Sequence, residues 1–259
     1  MSLSRFAIRL AAVQALKGRT LAGDAVRNSR IGAIDIAADG SLQVNEDRVF
    51  LDVFTDDSET TDTYKRDLHE NGDLALNFES GITSTMVETD DAGQSIVTGV
   101  GIPATDDAFE ATLDILDTQI RTALTDPENE WAEIWRKLTN GFGKIERKRA
   151  ASADDGLRRA ARQLRITLKA RPDPVFNEPL ADTSPFMRFR ALVERDLPNM
   201  LPQVDMMMGV PENDYSIDMI RAAYGHTEAE ANALAYTLVS DEPISGFTVK
   251  DIDDEQPST

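Results

Sequence analysis

An α+β fold is predicted here: a mostly antiparallel sheet with helices packed on one side and a C-terminal helical or mixed extension. Three observations predict it. From Gln163 to Arg171 the chain alternates strictly, with Leu164, Ile166, Leu168 and Ala170 on one face and Arg165, Thr167, Lys169 and Arg171 on the other. A period of two marks a half-buried strand. Phe109, Leu113, Leu116, Ile120 and Leu124 recur along one face of a helix from Asp106 to Leu124, a period of 3.6. Arg48 to Phe54 (RVFLDVF) is almost continuously apolar, aromatic or β-branched, as buried strands are.

The remaining elements follow in chain order. Phe6, Leu10, Val13 and Leu16 predict an amphipathic helix over 4–17, with Ser2 or Ser4 as its cap. The charged run Thr55 to Asp62 reads as a loop, and Leu74, Leu76 and Phe78 as a half-buried strand. Ile82–Glu88 and Ser95–Val100 flank Asp90-Asp91-Ala92-Gly93, the pattern of a hairpin. Trp131, Ile134, Trp135 and Leu138 predict a short helix with both tryptophans turned to the core, and Asn140-Gly141 its stop. Phe142–Ala150 reads as a basic strand, joined to the alternating strand by turn chemistry at Ala153-Asp154-Asp155-Gly156.

Beyond Arg171-Pro172, residues 173–183 resemble a linker. The domain boundary is therefore placed after 172, giving an α/β domain over 1–172 and an extension over 173–259. Ser184-Pro185 predicts the start of a helix carrying Phe186, Phe189, Val193 and Leu197. Met206–Met208 have no assigned structure, Tyr215–Tyr224 reads as a short helix closed by Gly225, and Tyr236 to Val249 as one or two strands.

Composition then narrows function. The chain has 259 residues, no cysteine and two histidines, His69 and His226. That excludes disulfides, thiolate catalysis and cysteine-based metal sites. The uncharged apolar stretches fall short of the roughly 18 residues of a membrane span. Met1 to Gly23 holds no acid, but Arg9, Gln14 and Lys17 interrupt any secretory core, so an ordinary helix and a cytoplasmic protein are expected. The net charge of −19 opposes general binding to a nucleic-acid backbone.

That charge is segregated along the chain. Residues 1–30 carry six basic and one acidic side chain, 31–130 four and 24, 131–172 twelve and four, and 173–259 five and 17. Complementary surfaces are implied, within the fold or between copies of it. An all-basic strand face is repulsive unless it meets acids. Arg147, Arg149, Arg165 and Lys169 are accordingly the candidate interface residues, expected on one cationic strand face.

Searches for site chemistry return little. Gly99-Val100-Gly101 and Gly141-Phe142-Gly143-Lys144 lack the spacing of phosphate loops. The acid pairs Asp56-Asp57, Asp90-Asp91 and Asp106-Asp107 match no calcium-loop spacing and read as solvated loop acids. His69-Glu70 reads as surface polarity. No catalytic, cofactor-binding or metal residue is assigned.

The order helix, strand, strand, hairpin, helix, basic strand, long amphipathic strand resembles the tail terminator proteins of long-tailed (siphovirus-type) bacteriophages. The run Ala15-Leu16-Lys17-Gly18-Arg19-Thr20-Leu21-Ala22-Gly23-Asp24-Ala25-Val26 and then Asn28-Ser29-Arg30-Ile31 is similar to the family's opening. Ala160 to Leu168 is similar to its closing strand. The resemblance covers roughly residues 1–172. It implies a virion protein assembled in the host cytoplasm as a six-fold ring. Such a ring caps the tail tube, stops its polymerisation and joins the tail to the head connector or stopper protein. DNA would pass through the lumen without sequence-specific binding, and neither enzyme activity, cofactor nor membrane is implied. The cationic face would then pair with acids of a neighbouring subunit or of the tube protein. The alternative is another neck component: a head–tail adaptor, a stopper or a tail-completion protein.

Overall fold

In the computed structural model, the described residues are 2–29, 35–36, 42–43, 49–60, 68–82, 85–89, 95–100, 106–154, 157–209 and 217–234. Helix α1 (Leu3–Leu16) is followed by strands β1 (Val26–Asn28), β2 (Asp35–Ile36), β3 (Leu42–Gln43), β4 (Val49–Glu59), β5 (Asp73–Ile82), β6 (Thr85–Thr89) and β7 (Ser95–Val100). Helices α2 (Asp106–Thr125) and α3 (Glu130–Lys137) lead to the hairpin of β8 (Thr139–Asp154) and β9 (Leu157–Ala170). Helices α4 (Pro185–Asp196), α5 (Leu201–Met208), α6 (Ile217–Tyr224) and α7 (Glu228–Ala233) complete the order.

Five strands form the main sheet in the order β1-β4-β5-β9-β8. Only β1 against β4 is parallel; β4–β5, β5–β9 and β9–β8 are antiparallel. Two small antiparallel ladders, β2–β3 and β6–β7, stand apart from it. The α+β class is thus the one expected, with the predicted hairpin present as β6–β7.

Alternation decides which sheet face is buried under helices. Leu51, Val53, Leu74, Leu76, Phe78, Leu164, Ile166 and Leu168 all enter one core cluster. Against them lie Ile120 and Leu124 of α2, Trp131, Ile134 and Trp135 of α3, and most of α1. The cluster does not stop at residue 172. Phe186, Phe189, Leu192 and Val193 of α4 and Val204 and Met208 of α5 belong to it. Phe189 is fully buried and meets Phe6 and Trp131 edge-to-face, with ring centroids 6.3 and 6.2 Å apart, a favoured aromatic geometry.

Polar contacts hold the helix ends in register with the sheet. Ser2 caps α1 by accepting from the Arg5 backbone N–H at 3.2 Å. The Asp173 carboxylate accepts from the N–H groups of Leu3 (3.0 Å) and Ser4 (2.8 Å) and from the Ser2 hydroxyl (2.9 Å). A carboxylate at a helix N-terminus satisfies orphan donors and complements the dipole. Asn129, buried, caps α3 and donates to the Ala15 carbonyl at the end of α1 (2.9 Å). Residue 173, expected in a linker, is therefore a structural anchor.

Several boundaries differ from expectation. Strand β4 runs on through Thr55–Glu59, with a bulge between Thr55 and Ser58, where a loop was expected. Pairing with β5 and Arg side chains that take up the acids outweigh the polarity of the run. Asn140-Gly141 does not stop α3: Leu138 is its C-cap and both residues lie in β8. Met206–Met208 are helical, in α5. Helix α4 starts at Pro185 as predicted, although the Ser184 hydroxyl makes no capping hydrogen bond. The strands expected between Tyr236 and Val249 lie outside the described residues.

Phe189→Ala should cost about 3–5 kcal/mol, the range for deleting a buried aromatic ring. Urea unfolding of the full chain checks this, with a single transition expected for residues on both sides of 172.

Candidate functional site: the sheet edges and their charges

Directly opposite residues of an antiparallel pair share a face, so the β8–β9 register decides where each candidate cation points. Arg147 is opposite Leu164 and Glu146 is opposite Arg165. Arg147 therefore shares the face of the core residue Leu164, whereas Arg165 and Lys169 lie on the other face. Arg149 stands opposite Arg162 in the same ladder, in phase with Arg147. The expected single cationic face of Arg147, Arg149, Arg165 and Lys169 is accordingly corrected. The hairpin pairs Asp154 with Leu157, so every odd-numbered residue of β8 beyond the bulge meets an even-numbered one of β9.

Acids of this chain take up most of that charge. Arg147 Nε donates to Asp117 of α2 at 2.9 Å. Arg162 bridges two more acids of that helix, Glu110 at 2.7 Å and Asp114. Glu110, Asp114 and Asp117 fall at i, i+4 and i+7, so α2 presents an acidic stripe beside its apolar one. On the opposite sheet face, Arg165 Nη2 donates to both carboxylate oxygens of Asp57 at 2.8 Å and Nη1 to Asp56 at 3.2 Å. Asp56 and Asp57 are the two residues of the β4 bulge, a device that re-aims side chains. Asp57's carboxyl is held below its usual value by its own backbone N–H and then by Arg165. Lys169 is exposed and forms no ion pair among the described residues.

One edge strand of the sheet is β8, sixteen residues long, with no further strand paired to it among the described residues. Its described outer part is solvent-facing: Phe142 and Ile145 are 52% and 50% exposed, and Lys144, Arg147 and Lys148 are exposed beside them. Phe142 stacks on Trp135 with centroids 5.7 Å apart. Between β8 and α2 runs an apolar groove of about 130 Å³ lined by Ile120, Leu124, Trp135, Phe142, Ile145 and Leu164, with Arg147 and Asp117 at its rim. Lys144 donates to Glu146 at 2.8 Å and lowers that carboxyl's pKa.

The other sequence candidates are placed as follows. Gly141 to Lys144 lie within β8 and not in a loop that could cradle a phosphate; of the other candidate, Gly99-Val100 lie within β7 and Gly101 lies outside the described residues. The His69 carbonyl accepts from the Asp173 N–H at 2.8 Å, tying that loop to the chain after β9. Asp90-Asp91 lie outside the described residues. Among the described residues no three His, Asp or Glu side chains gather as a metal site, and no helix is long and apolar enough to cross a membrane. Arg162, Phe142 and Ile145 were not singled out from sequence. Their signals were there: two apolar residues within a basic strand, and a cation in phase with Leu164 and Ile166.

One polar group on the outer face of the sheet is unpaired. Asn77, opposite Phe54 and Arg165, is fully buried, and both its amide atoms lack a hydrogen-bond partner.

No protein-family model matches the chain, and no curated protein matches it.

Two outcomes are expected. Asn77→Val removes an uncompensated amide and adds a β-branched side chain, so the unfolding free energy from urea denaturation should rise by about 1 kcal/mol or more. Asp57 and Glu146 both have folded pKa values below their unfolded ones. Their contribution is thus present above the unfolded value, about 4, and is lost as pH falls through the depressed one. Thermal melting should be flat from about pH 7 to 5 and decline below about pH 4. The decline should be shallower in Asp57→Asn, Glu146→Gln.

Proposed function

We propose that this protein is a structural virion component: a ring-forming tail terminator that caps the tail tube, stops its polymerisation and offers a surface to the head connector or stopper protein. The observation that carries the reading is the free β8 edge. A long exposed strand edge with half-exposed Phe142 and Ile145 beside an apolar groove is an association hazard in a monomer. In a ring it is covered. The resemblance of residues 1–172 to terminators supplies the partner classes: copies of this chain, a tail tube protein and a connector protein. The acidic total suits a lumen through which DNA slides without adhering, since like charge lowers non-specific attraction.

Termination is a binding problem. One ring face must complement the tube end and the other must differ from a tube subunit, so that no further tube ring is added. No bond is made or broken, and the chain's task is to present fixed surfaces. A second neck component, adaptor or stopper, would share the ring but bind on the portal side.

Negative-stain imaging of the protein with sheared tail tubes, and separately with portal complexes, tests this. Density capping one end of each tube is the expected result. Rings seated only on portals would replace the terminator reading by the adaptor or stopper one. A monomer that ignores both would remove the virion reading altogether.

A further inference from the structure

We propose that copies of this chain join head to tail through the two opposite edges of the main sheet: β8 of one copy meets the Thr55–Glu59 end of β4 in the next. This rests on the ring reading above and names its subunit interface.

Both edges are open at the same end of the sheet. Strand β1 pairs with β4 only along Leu51–Val53, so β4 projects beyond it, and Asp56 to Glu59 are exposed. Following the ladders across the sheet, Thr55 is level with Leu76, Ile166 and Ile145, and Ser58 with Leu74, Leu168 and Phe142. The exposed end of β4 and the apolar part of β8 thus sit at equal height on opposite sides. A contact between different patches at equal height repeats as a rotation with little rise along the strands. That is the condition under which a heterologous contact closes into a ring instead of running on as a helix.

The two edges are also opposite in charge. Lys144, Arg147 and Lys148 line the β8 side; Asp56, Asp57 and Glu59 line the β4 side. Glu59 and Lys148 form no ion pair among the described residues, and Asp56 and Asp57 stay 53% and 70% exposed at the side chain while holding Arg165. Such complementarity steers partners and rejects like-edge contacts, where cations would face cations. Apolar area is available on the β8 side, where Phe142 and Ile145 are half-exposed. Arg5 already donates to the carbonyls of Thr55 (3.0 Å) and Asp56. The join is therefore made by side chains and not by a continued backbone ladder.

The absence of native cysteine makes the test clean. Ser58→Cys and Lys144→Cys are prepared as separate full-length variants and as a double variant, then treated with a short bis-maleimide, with native mass spectrometry alongside. The expected result is a 58–144 product only when both sites are present. The double variant should give a ladder that ends at the ring mass. Products at least tenfold more abundant from either single variant alone would mean like edges meet and would overturn the assignment. Rings of full mass without 58–144 products would also overturn it while leaving the ring reading intact. A monomer even with tube ends present would overturn both.

Discussion

Helix α1 has almost no surface to give to solvent, and this constraint organises the molecule. Eleven of its fourteen residues are buried, which means that one covering layer is not enough. The sheet covers one side through Leu51, Val53 and Phe78, and α3, α4 and α5 cover the other through Trp131, Phe189 and Val204. Two of its three remaining side chains are used as well: Arg5 and Arg9 donate to Thr55, and Arg9 also to Asn28 at 2.7 Å. Burial, and then the neighbouring Arg5 charge, lower the pKa of Arg9. A helix apolar nearly all round must be interior, so α4 and α5, although they follow residue 172, are part of the same core.

The same economy governs charge. The basic stretch 131–172 is laid against acids contributed by the stretch before it: Asp117, Asp114 and Glu110 from α2, Asp56 and Asp57 from the β4 bulge. Of the two readings that segregation allowed, complement within the fold accounts for Arg147, Arg162 and Arg165. Exposed pairs of this kind contribute little each; their value here is positional, since they set α2 over β8–β9 and leave the groove between them open. What remains unspent among the described residues is at the edges, with Lys148 on one side of the sheet and Glu59 on the other.

Much of the fold was legible because period is a local property. The alternation of Leu164 to Ala170, the helical stripe of Phe109 to Leu124 and the Ser184-Pro185 start each declare themselves within a dozen residues. The misread places are those where a partner distant in sequence decides. Thr55–Glu59 look like a loop until β5 pairs with them and Arg165, 108 positions from Asp57, takes up their charge. Ala7, Ala11, Ala12 and Ala15 are too small to mark a buried face by themselves, which hid the second buried face of α1 and with it the need for α4 and α5. The candidate site was half legible. Its four cations were visible in sequence, but their faces were not, and the apolar groove beside them could not be.

The sequence by itself determined the type and one apolar face of the strongly periodic elements, β9, α2 and α4 among them, and the absence of thiol chemistry, because these follow from side-chain period and composition alone. Only the tertiary structure decided the strand order, the hairpin register and the end of the core. One residue of register exchanges every side chain of a strand between faces. No local pattern in β8 says whether Arg147 lies with Leu164 or with Arg165. That choice is made where Asp154 meets Leu157, and the groove, the acid pairing of α2 and the open sheet edge all follow from it.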